Sequence, residues 1–347
     1  MLTLDVVINS NVRQSPRLYA GGTCGNVLTI LSYLGWKALP VARLDDDTAS
    51  RRVLTDLKKW KVDVRFAKQQ PGASTPIIVH EITRDRNGSP SHKFTWLCPQ
   101  CGAWLPGYKP VLVQAALEVS MRLRNPKVFF MDRVSRAALT IAEASAKSGA
   151  LVVFEPSGVG DPKLFRQALE LTHVLKYAQE RASAFATIVQ NTGGPLLEIE
   201  TRGRQGLRYI KRSAPSHVAK WHEMPAFTVA SLKDAAGAGD WCTAGIVHAL
   251  GQNGHSELAG ASDTQIGSAL RLGQAMAAWS CGFEGARGGM YSVGKRTFRA
   301  AVTSMLLNSK PSSPDAHETR SLVPAVNRAV RNICPACESR QQQTPIS

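Results

Sequence analysis

The sequence predicts an α/β fold in which a mostly parallel β-sheet is covered by helices on both faces. Two observations support this prediction. Short apolar stretches typical of buried strands alternate with longer segments of helical spacing along most of the 347 residues, and 44% of the residues are hydrophobic, enough for a substantial core. Strands separated by helices are usually joined by crossovers, which make them parallel. The length allows one large α/β domain or two smaller ones.

The first strand and helix signals lie between residues 75 and 150. The segment TPIIVHEIT, 75–83, reads as a strand, and the Asn87-Gly88 pair after it favours a hairpin turn. The apolar run PKVFFMDRV, 126–134, predicts a buried strand. It is followed by a helix over 135–150, for which Ser135 is a suitable N-cap.

The alternation continues to residue 283. The segment LVVFEP, 151–156, predicts a strand, and the next helix begins with Asp161 as its cap and Pro162 at its first position. A further strand runs into the glycine-containing turn of PLLEIETRGRQG, 195–206. Two amphipathic helices are predicted over 239–252 and 266–283.

The charge balance bears on partners. Lys and Arg number 42 against 26 Asp and Glu, a net charge of +16, which favours anionic partners such as nucleotides or phosphorylated substrates, or is simply a solvated basic surface. The charges are dispersed, so nucleic acid is a possible but not a favoured partner. No apolar run reaches the ~18 residues of a membrane span, and no signal peptide is recognisable. We therefore expect a cytoplasmic protein without membrane contact; a homodimer remains open.

The strongest local motif is DAAGAGDWCTAG, residues 234–245. Gly237, Ala238 and Gly239 are small residues that lead into a helix beginning near Asp240. Free backbone N–H groups at a helix N-terminus bind anions, and small residues let a phosphate approach the backbone. A carboxylate beside that phosphate can accept a proton from an attacking hydroxyl. A glycine-rich turn with an Asp cap is the simpler explanation for such a motif when it stands alone.

Four other landmarks accompany the motif in order along the chain. They are AGGTCGNVLTILSYLG (20–35), VARLDDDTASRRVLTDLKKWKVDV (41–64), LVVFEPSG (151–158) and ETRGRQG (200–206). Together with DAAGAGD they resemble the ribokinase/PfkB carbohydrate kinase family over roughly residues 1–295. The resemblance implies a three-layer αβα sandwich with a small β-sheet lid. It also implies transfer of the ATP γ-phosphoryl group, with Mg²⁺, to a hydroxyl of a small-molecule substrate: a sugar, nucleoside or related polyol.

The resemblance also assigns roles to residues. Asp240 is the expected catalytic base, and the amides of Gly237, Ala238 and Gly239 are expected to hold the transferring phosphate. The remaining expected site residues are Asp5, Gly21, Gly22 and Asn26 for the substrate, and Thr201, Gly203, Gly206, Asp234 and Glu180 for the nucleotide and its metal.

Three features depart from the family pattern. Met1 lies only four residues before Asp5, so we expect either a start further upstream or a severely shortened first strand. Ala178 stands where the Mg²⁺ motif has Asn, and Glu180 is displaced by one position. Glu155 and Ser157 replace the Asp and Asn of the strand usually read as FDPN. An unusual substrate or a weakly catalytic kinase would accommodate these changes.

Two CxxC pairs, Cys98/Cys101 and Cys334/Cys337, lie far apart in the chain. Four thiolates in such pairs are the usual ligands of a structural tetrahedral zinc ion, and the entropy of closing a long loop grows only logarithmically with its length. Redox or thiol switching and unrelated cysteines are the alternatives. Catalytic zinc is disfavoured because four thiolates leave no open position. His92 and His222 are other candidate ligands, although their spacing does not favour them.

These signals divide the chain into three parts. We predict a kinase domain over 1–306, a polar linker over 307–322 and a tail over 323–347 that carries the second CxxC. Within the domain, 8–20 and 75–96 are lid segments, and 97–110 is a cysteine-containing insertion. The alternative function is a non-catalytic or weakly catalytic kinase-fold protein that binds nucleic acid or a protein through its basic surface and zinc clip.

Overall fold

The computed structural model describes residues 1–10, 15–86, 90–212, 220–308 and 333–342. The strands within these ranges are β1 (Thr3–Asn9), β2 (Arg17–Gly21), β3 (Ala42–Leu44), β4 (Ala67–Gln69), β5 (Ile77–Arg84), β6 (Pro90–Thr95), β7 (Val128–Met131), β8 (Leu151–Phe154), β9 (Val174–Ala178), β10 (Leu197–Thr201), β11 (Leu207–Lys211) and β12 (His222–Met224).

The helices are α1 (Thr23–Tyr33), α2 (Thr48–Lys59), α3 (Val113–Arg122), α4 (Arg136–Lys147), α5 (Pro162–Leu171), α6 (Ala182–Asn191), α7 (Ala238–Leu250), α8 (His255–Gly260), α9 (Asp263–Ser280), α10 (Gly288–Ser292), α11 (Lys295–Asn308) and α12 (Pro335–Gln342). The predicted caps are confirmed: Ser135 accepts a hydrogen bond from the amide of Ala138, and Asp161 accepts from Lys163 and Leu164. Both caps satisfy amides that the first helical turn leaves without partners.

The larger sheet has six strands in the order β12-β11-β10-β9-β8-β7. Strands β7 to β10 are parallel; β11 runs antiparallel to β10, and β12 runs antiparallel to β11. Because successive side chains of a strand point to opposite faces, Leu151 and Val153 pack with α1, α7 and α9, whereas Val152 and Phe154 pack with α4 and α5. The predicted mostly parallel sheet between two helical layers is confirmed.

A second sheet has four strands in the order β2-β1-β5-β6. Strands β5 and β6 and most of β2 fall within the segments predicted as the lid, whereas most of β1 precedes them. The β5–β6 pair is antiparallel, as the hairpin prediction requires, although Asn87 and Gly88 lie outside the described residues. Strand β1, which contains Asp5, belongs to this sheet. A cavity of about 620 Å³ lies between β3 and β7.

Helices α7 and α9 pack with their backbones in close contact. A Cβ atom added to Gly245 would lie 2.8 Å from the Cα of Gly273, and one added to Gly273 would lie 2.6 Å from the carbonyl oxygen of Cys242. Both helices also carry buried tryptophans, Trp241 and Trp279, whose rings meet edge to face with centroids 5.1 Å apart. The N-terminus of α7 is therefore held on a tightly packed base.

The described part of the tail lies against the four-stranded sheet. Ile333, Cys334 and Cys337 belong to the same buried apolar cluster as Leu4 and Val79 of that sheet. Most of the predicted linker, and the tail up to residue 332, lie outside the described residues. Among the helices that the structure describes, none is both long and apolar enough to cross a bilayer.

Candidate active site

Helix α7 begins at the loop that carries the main motif. Gly237 is its N-cap and has φ of 76°, and a Cβ atom there would lie 2.5 Å from the Cα of Ala286, so the turn requires glycine. The amides of Gly237 and Gly239 have no acceptor among the described residues, while the amide of Ala238 donates to the carbonyl of Ala235 over 3.2 Å. A helix start with free amides and the positive end of the helix dipole is suited to a phosphate group.

Asp240 lies in the first turn of α7, beside these amides. Its Oδ2 accepts a hydrogen bond of 2.7 Å from Nδ2 of Asn26 in α1. Burial raises the pKa of Asp240 to about 8, and the negative charge of Glu155 adds to this shift; Asn26 and Lys176 oppose it. A base with a pKa near the working pH accepts protons efficiently, so the position and basicity of Asp240 suit deprotonation of a hydroxyl.

Asp5 lies on β1 of the four-stranded sheet. Its carboxylate accepts a hydrogen bond of 2.5 Å from Thr3 Oγ1, and burial raises its pKa to about 6. A Cβ atom on Gly21 would lie 1.9 Å from Asp5 Oδ2, so Asp5 can hold this position only beside a glycine. The negative charge of Asp5 also contributes to the raised pKa of Asp240.

Arg287, in the loop between α9 and α10, links Asn26 of α1 to β2 and α2. It is 3% exposed, and its Nε donates to Asn26 Oδ1 over 3.0 Å. Its Nη2 donates to the carbonyl of Ala20 and, over 2.9 Å, to Asp56 Oδ2. Because Asn26 also bonds Asp240, a continuous chain of hydrogen bonds runs from Asp240 to Asp56.

The sequence analysis also missed a buried cation close to Asp240. Lys176 of β9 is 2% exposed and lies 2.6 Å from Glu155 Oε1, while Thr243 donates to Glu155 Oε2 over 2.5 Å. A Cβ atom on Gly239 would lie 3.7 Å from both Glu155 Oε1 and Lys176 Nζ, so the ion pair lies beside the first turn of α7. The sequence signal that could have revealed this residue is a lysine within an otherwise apolar strand.

The residues predicted to contact the nucleotide follow parallel strands. Glu180 lies in the turn after β9, and Thr201, Gly203 and Gly206 form the end of β10 and the turn beyond it. Glu155 follows β8 in the same way. Carboxyl ends of parallel strands meet at one edge of a sheet, where ligands of α/β proteins commonly bind. Glu180 is exposed at this edge, and its neighbour Arg181 donates to the carbonyl of Pro156 over 3.1 Å.

Asp234 shapes the loop before α7. Its carboxylate oxygens accept hydrogen bonds from the amides of Ala236 and Gly285, each over 2.9 Å. These bonds fasten the loop before α7 to the loop after α9. His80 and His92 of the four-stranded sheet approach the same carboxylate.

The two CxxC pairs come together. Cys98 Sγ lies 3.8 Å from Cys337 Sγ, and Cys101 Sγ lies 3.7 Å from Cys334 Sγ, with all four sulfurs within 4.8 Å of one another. Four thiolates at about 2.3 Å from one zinc ion in a tetrahedron are about 3.8 Å apart, so this set could hold zinc. His92 and His222 are not part of this cluster; His222 stacks on Tyr209 in the six-stranded sheet.

A family model supports the resemblance drawn from the motifs. The model described as pfkB family carbohydrate kinase matches residues 3–100. That segment contains Asp5, Gly21, Gly22 and Asn26 of the site. No curated protein matches the sequence of this chain.

Solved structures extend the comparison to most of the chain. A nucleoside kinase from Burkholderia thailandensis in complex with inosine is 17% identical, with a TM-score of 0.62, covering 87% of this chain and 96% of that one. A fructokinase double mutant from Vibrio cholerae O395 with fructose, ADP and potassium is 16% identical, with a TM-score of 0.63 and coverage of 86% and 96%.

A third structure is similar to the same degree. An aminoimidazole riboside kinase from Salmonella enterica with its riboside and an ATP analogue is 18% identical, with a TM-score of 0.60 and coverage of 82% and 93%. At these identities the likeness shows the fold. The family match and the fold together confirm the predicted resemblance to the ribokinase/PfkB carbohydrate kinases.

Proposed function

We propose that this protein transfers the γ-phosphoryl group of ATP to a hydroxyl of a sugar, nucleoside or related polyol. The observation that carries the proposal is the position of Asp240, which lies beside the free amides at the start of α7 and is hydrogen-bonded to Asn26. Phosphoryl transfer depends mainly on positioning the reactants and stabilising their charge. A base, an anion-binding helix start and a buried lysine in one place meet these needs.

Each residue has a separate task in this proposal. Asp240 accepts the proton of the attacking hydroxyl, and the amides of Gly237 and Gly239 bind the phosphoryl oxygens. Asp5 and Asn26 orient the substrate, because a carboxylate and an amide can bond neighbouring hydroxyls of a polyol. Lys176, already beside Gly239, offsets negative charge near the phosphate.

The nucleotide is proposed to lie at the carboxyl edge of the six-stranded sheet, against Thr201, Gly203 and Gly206. Mg²⁺ is usually held by phosphates and waters with only one or two carboxylates. The exposed Glu180 and the nearby Glu155 fit that requirement. Bound Mg²⁺ would neutralise charge on the phosphates. Asp234 would act through the loop whose shape it fixes.

We also propose that the four clustered cysteines bind structural zinc. Their sulfur separations match a tetrahedral ion, and the amide of Gln100 donates to Cys98 Sγ over 3.4 Å, as outer contacts to metal thiolates do. The ion would fasten the tail to the insertion after β6, at the edge of the four-stranded sheet. The zinc ion would stabilise the structure around the substrate pocket, and Asp240 would act as the catalytic base.

ATP turnover with a panel of sugars, nucleosides and polyols tests the proposed activity. Asp240→Asn should lower kcat by more than about 10²-fold with an active substrate, because it removes the general base. Asp263→Asn is the matched control: its side chain is 88% exposed and pairs only at the surface, so activity should not change. Full activity in Asp240→Asn would exclude the assigned base. Absence of turnover with every acceptor would favour the non-catalytic alternative.

A further inference from the structure

Two histidines of the four-stranded sheet converge on the loop before α7. His80 in β5 places its Nε2 atom 3.5 Å from Asp234 Oδ2, and His92 in β6 places its Nδ1 atom 3.7 Å from Asp234 Oδ1. One ligand atom from each residue lies within 4.8 Å of the other two. Three separate segments of the chain thus bring two imidazoles and a carboxylate to one point.

His80 lacks a hydrogen-bond partner for its Nε2 atom among the residues that the structure describes. That atom is buried, and the residue is 2% exposed. The distance of 3.5 Å to Asp234 is well beyond the ~2.9 Å of a usual N–H···O bond. An unpaired buried polar group costs about 1–3 kcal/mol, so a ligand between the two side chains would relieve this cost.

The separations suit a metal ion between these atoms. Ligand bonds of about 2.1 Å in a tetrahedral site put neighbouring ligand atoms ~3.4 Å apart. His80 Nε2 and His92 Nδ1 lie 3.5 Å and 3.7 Å from the two different oxygens of the Asp234 carboxylate, and one ligand atom of each residue lies within 4.8 Å of the others. Each carboxylate oxygen of Asp234 accepts one backbone amide hydrogen and retains a lone pair for a further ligand. Such outer hydrogen bonds hold metal-binding carboxylates in position.

We propose that His80, His92 and Asp234 bind a divalent transition-metal ion of the zinc type. Two imidazoles and one carboxylate form a set typical of such ions, and three protein ligands leave one coordination position open. The side chain of His92 is 34% exposed, which gives the ion a route of entry. The ion would join β5 and β6 to the loop before α7, so the four-stranded sheet would be fastened over the site. This binding does not depend on kinase activity.

Cobalt titration of the metal-free full chain separates this site from the cysteine cluster. Thiolate-bound Co²⁺ has an intense sulfur-to-metal charge-transfer band, whereas Co²⁺ bound by nitrogen and oxygen lacks it. The wild-type chain should bind two Co²⁺ ions, one with this band and one without it. His92→Gln should keep the band but bind the second ion more than about tenfold more weakly, since even outer-shell changes cost about 10–100-fold.

Two variants complete the comparison. Cys334→Ser should weaken the ion that carries the charge-transfer band and keep the other, and His222→Gln, a change at an exposed histidine of β12, should alter neither. His80→Gln should show the same weaker binding of the second ion as His92→Gln. If His80→Gln is unstable because residue 80 is buried, the test relies on His92→Gln, since His92 is partly exposed. A wild-type chain that binds Co²⁺ only with the charge-transfer band, or a His92→Gln variant with unchanged binding of both ions, overturns the proposal.

Discussion

Asn26 of α1 donates a hydrogen bond of 2.7 Å to the carboxylate of Asp240 and accepts one of 3.0 Å from Arg287. The donated bond favours the ionised carboxylate and therefore lowers the pKa of Asp240, against the burial that raises it to about 8. One amide side chain thus sets both the orientation and the basicity of the proposed base.

The first prediction concerns the pH dependence of activity. Since Asp240 must be deprotonated to accept a proton, kcat/KM should rise with pH through about 8. Asn26→Ala removes a bond to the charged form, so it should move this limb to higher pH as well as lower the rate. Rate profiles between pH 6 and pH 10 would measure both effects. A rate that falls while the profile stays in place would show that Asn26 acts on substrate binding alone.

The second prediction concerns stability. The pKa of Asp240 is raised from 3.8 in the unfolded chain to about 8, so the wild-type protein loses stability as pH rises between these values and no further above them. Asp240→Asn removes this loss. Its free energy of unfolding should exceed that of the wild type by an amount that grows from about pH 4 to pH 8 and then levels off. Urea unfolding at several pH values checks this, and a difference independent of pH would contradict the buried, protonated carboxyl.

The third prediction compares two arginine–aspartate pairs. Arg287 and Asp56 form a buried pair, with side chains 2% and 13% exposed, whereas Arg51 and Asp46 are both more than half exposed. Arg287→Met should lower the free energy of unfolding by about 3–5 kcal/mol, because it leaves Asp56 as a buried charge without its partner. Arg51→Met should cost less than about 1 kcal/mol. If denaturant unfolding gave equal losses for both variants, the Arg287–Asp56 pair would contribute no more to the free energy of unfolding than the exposed pair does.

The fourth prediction concerns the space beside Asp5. Gly21→Ala places a methyl group 1.9 Å from the Asp5 carboxylate, so that carboxylate must move and the KM for the hydroxyl substrate should rise. Gly267→Ala in α9 is the control: nothing lies within 4 Å of the added atom, and alanine favours helix by up to ~1 kcal/mol over glycine. Unchanged steady-state kinetics in Gly21→Ala would show that Asp5 does not bind the substrate.

The fifth prediction concerns the cysteine cluster. Metal analysis should show zinc bound by the four sulfurs, and Cys334→Ser should lower that zinc content and the melting temperature while the variant that remains folded retains kcat. Cys281→Ser changes a buried cysteine outside the cluster, so its zinc content should equal that of the wild type. A chain that stays equally stable after chelation would argue against a structural metal.

Local patterns predicted much of the fold. The spacing of apolar residues located β5, β7, β8 and β10, and cap chemistry located the starts of α4 and α5, because these features depend on neighbours in sequence. The motif of residues 234–240 likewise located the start of α7. Local patterns could also find the cysteines of each CxxC pair, and the structure brings the two pairs together.

The site's long-range contacts were beyond such patterns. Arg287 and Asp56 lie 231 positions apart, and nothing near either residue specifies the other. Lys176 is an isolated cation in an apolar strand until the sheet places it against Glu155. His80 and His92 meet Asp234 only after the four-stranded sheet packs on the loop before α7. Each of these contacts is created by tertiary packing, and the spacing of residues along the sequence does not reveal it.

The contact between Gly245 and Gly273 has a mechanical consequence. With no side chain between them, α7 and α9 have little room to slide or rotate against each other, so the position of Asp240 is fixed by helix packing. A side chain added at either glycine would push the two helices apart and displace the start of α7. The geometry of the proposed site therefore depends on two glycines that lie outside residues 234–240.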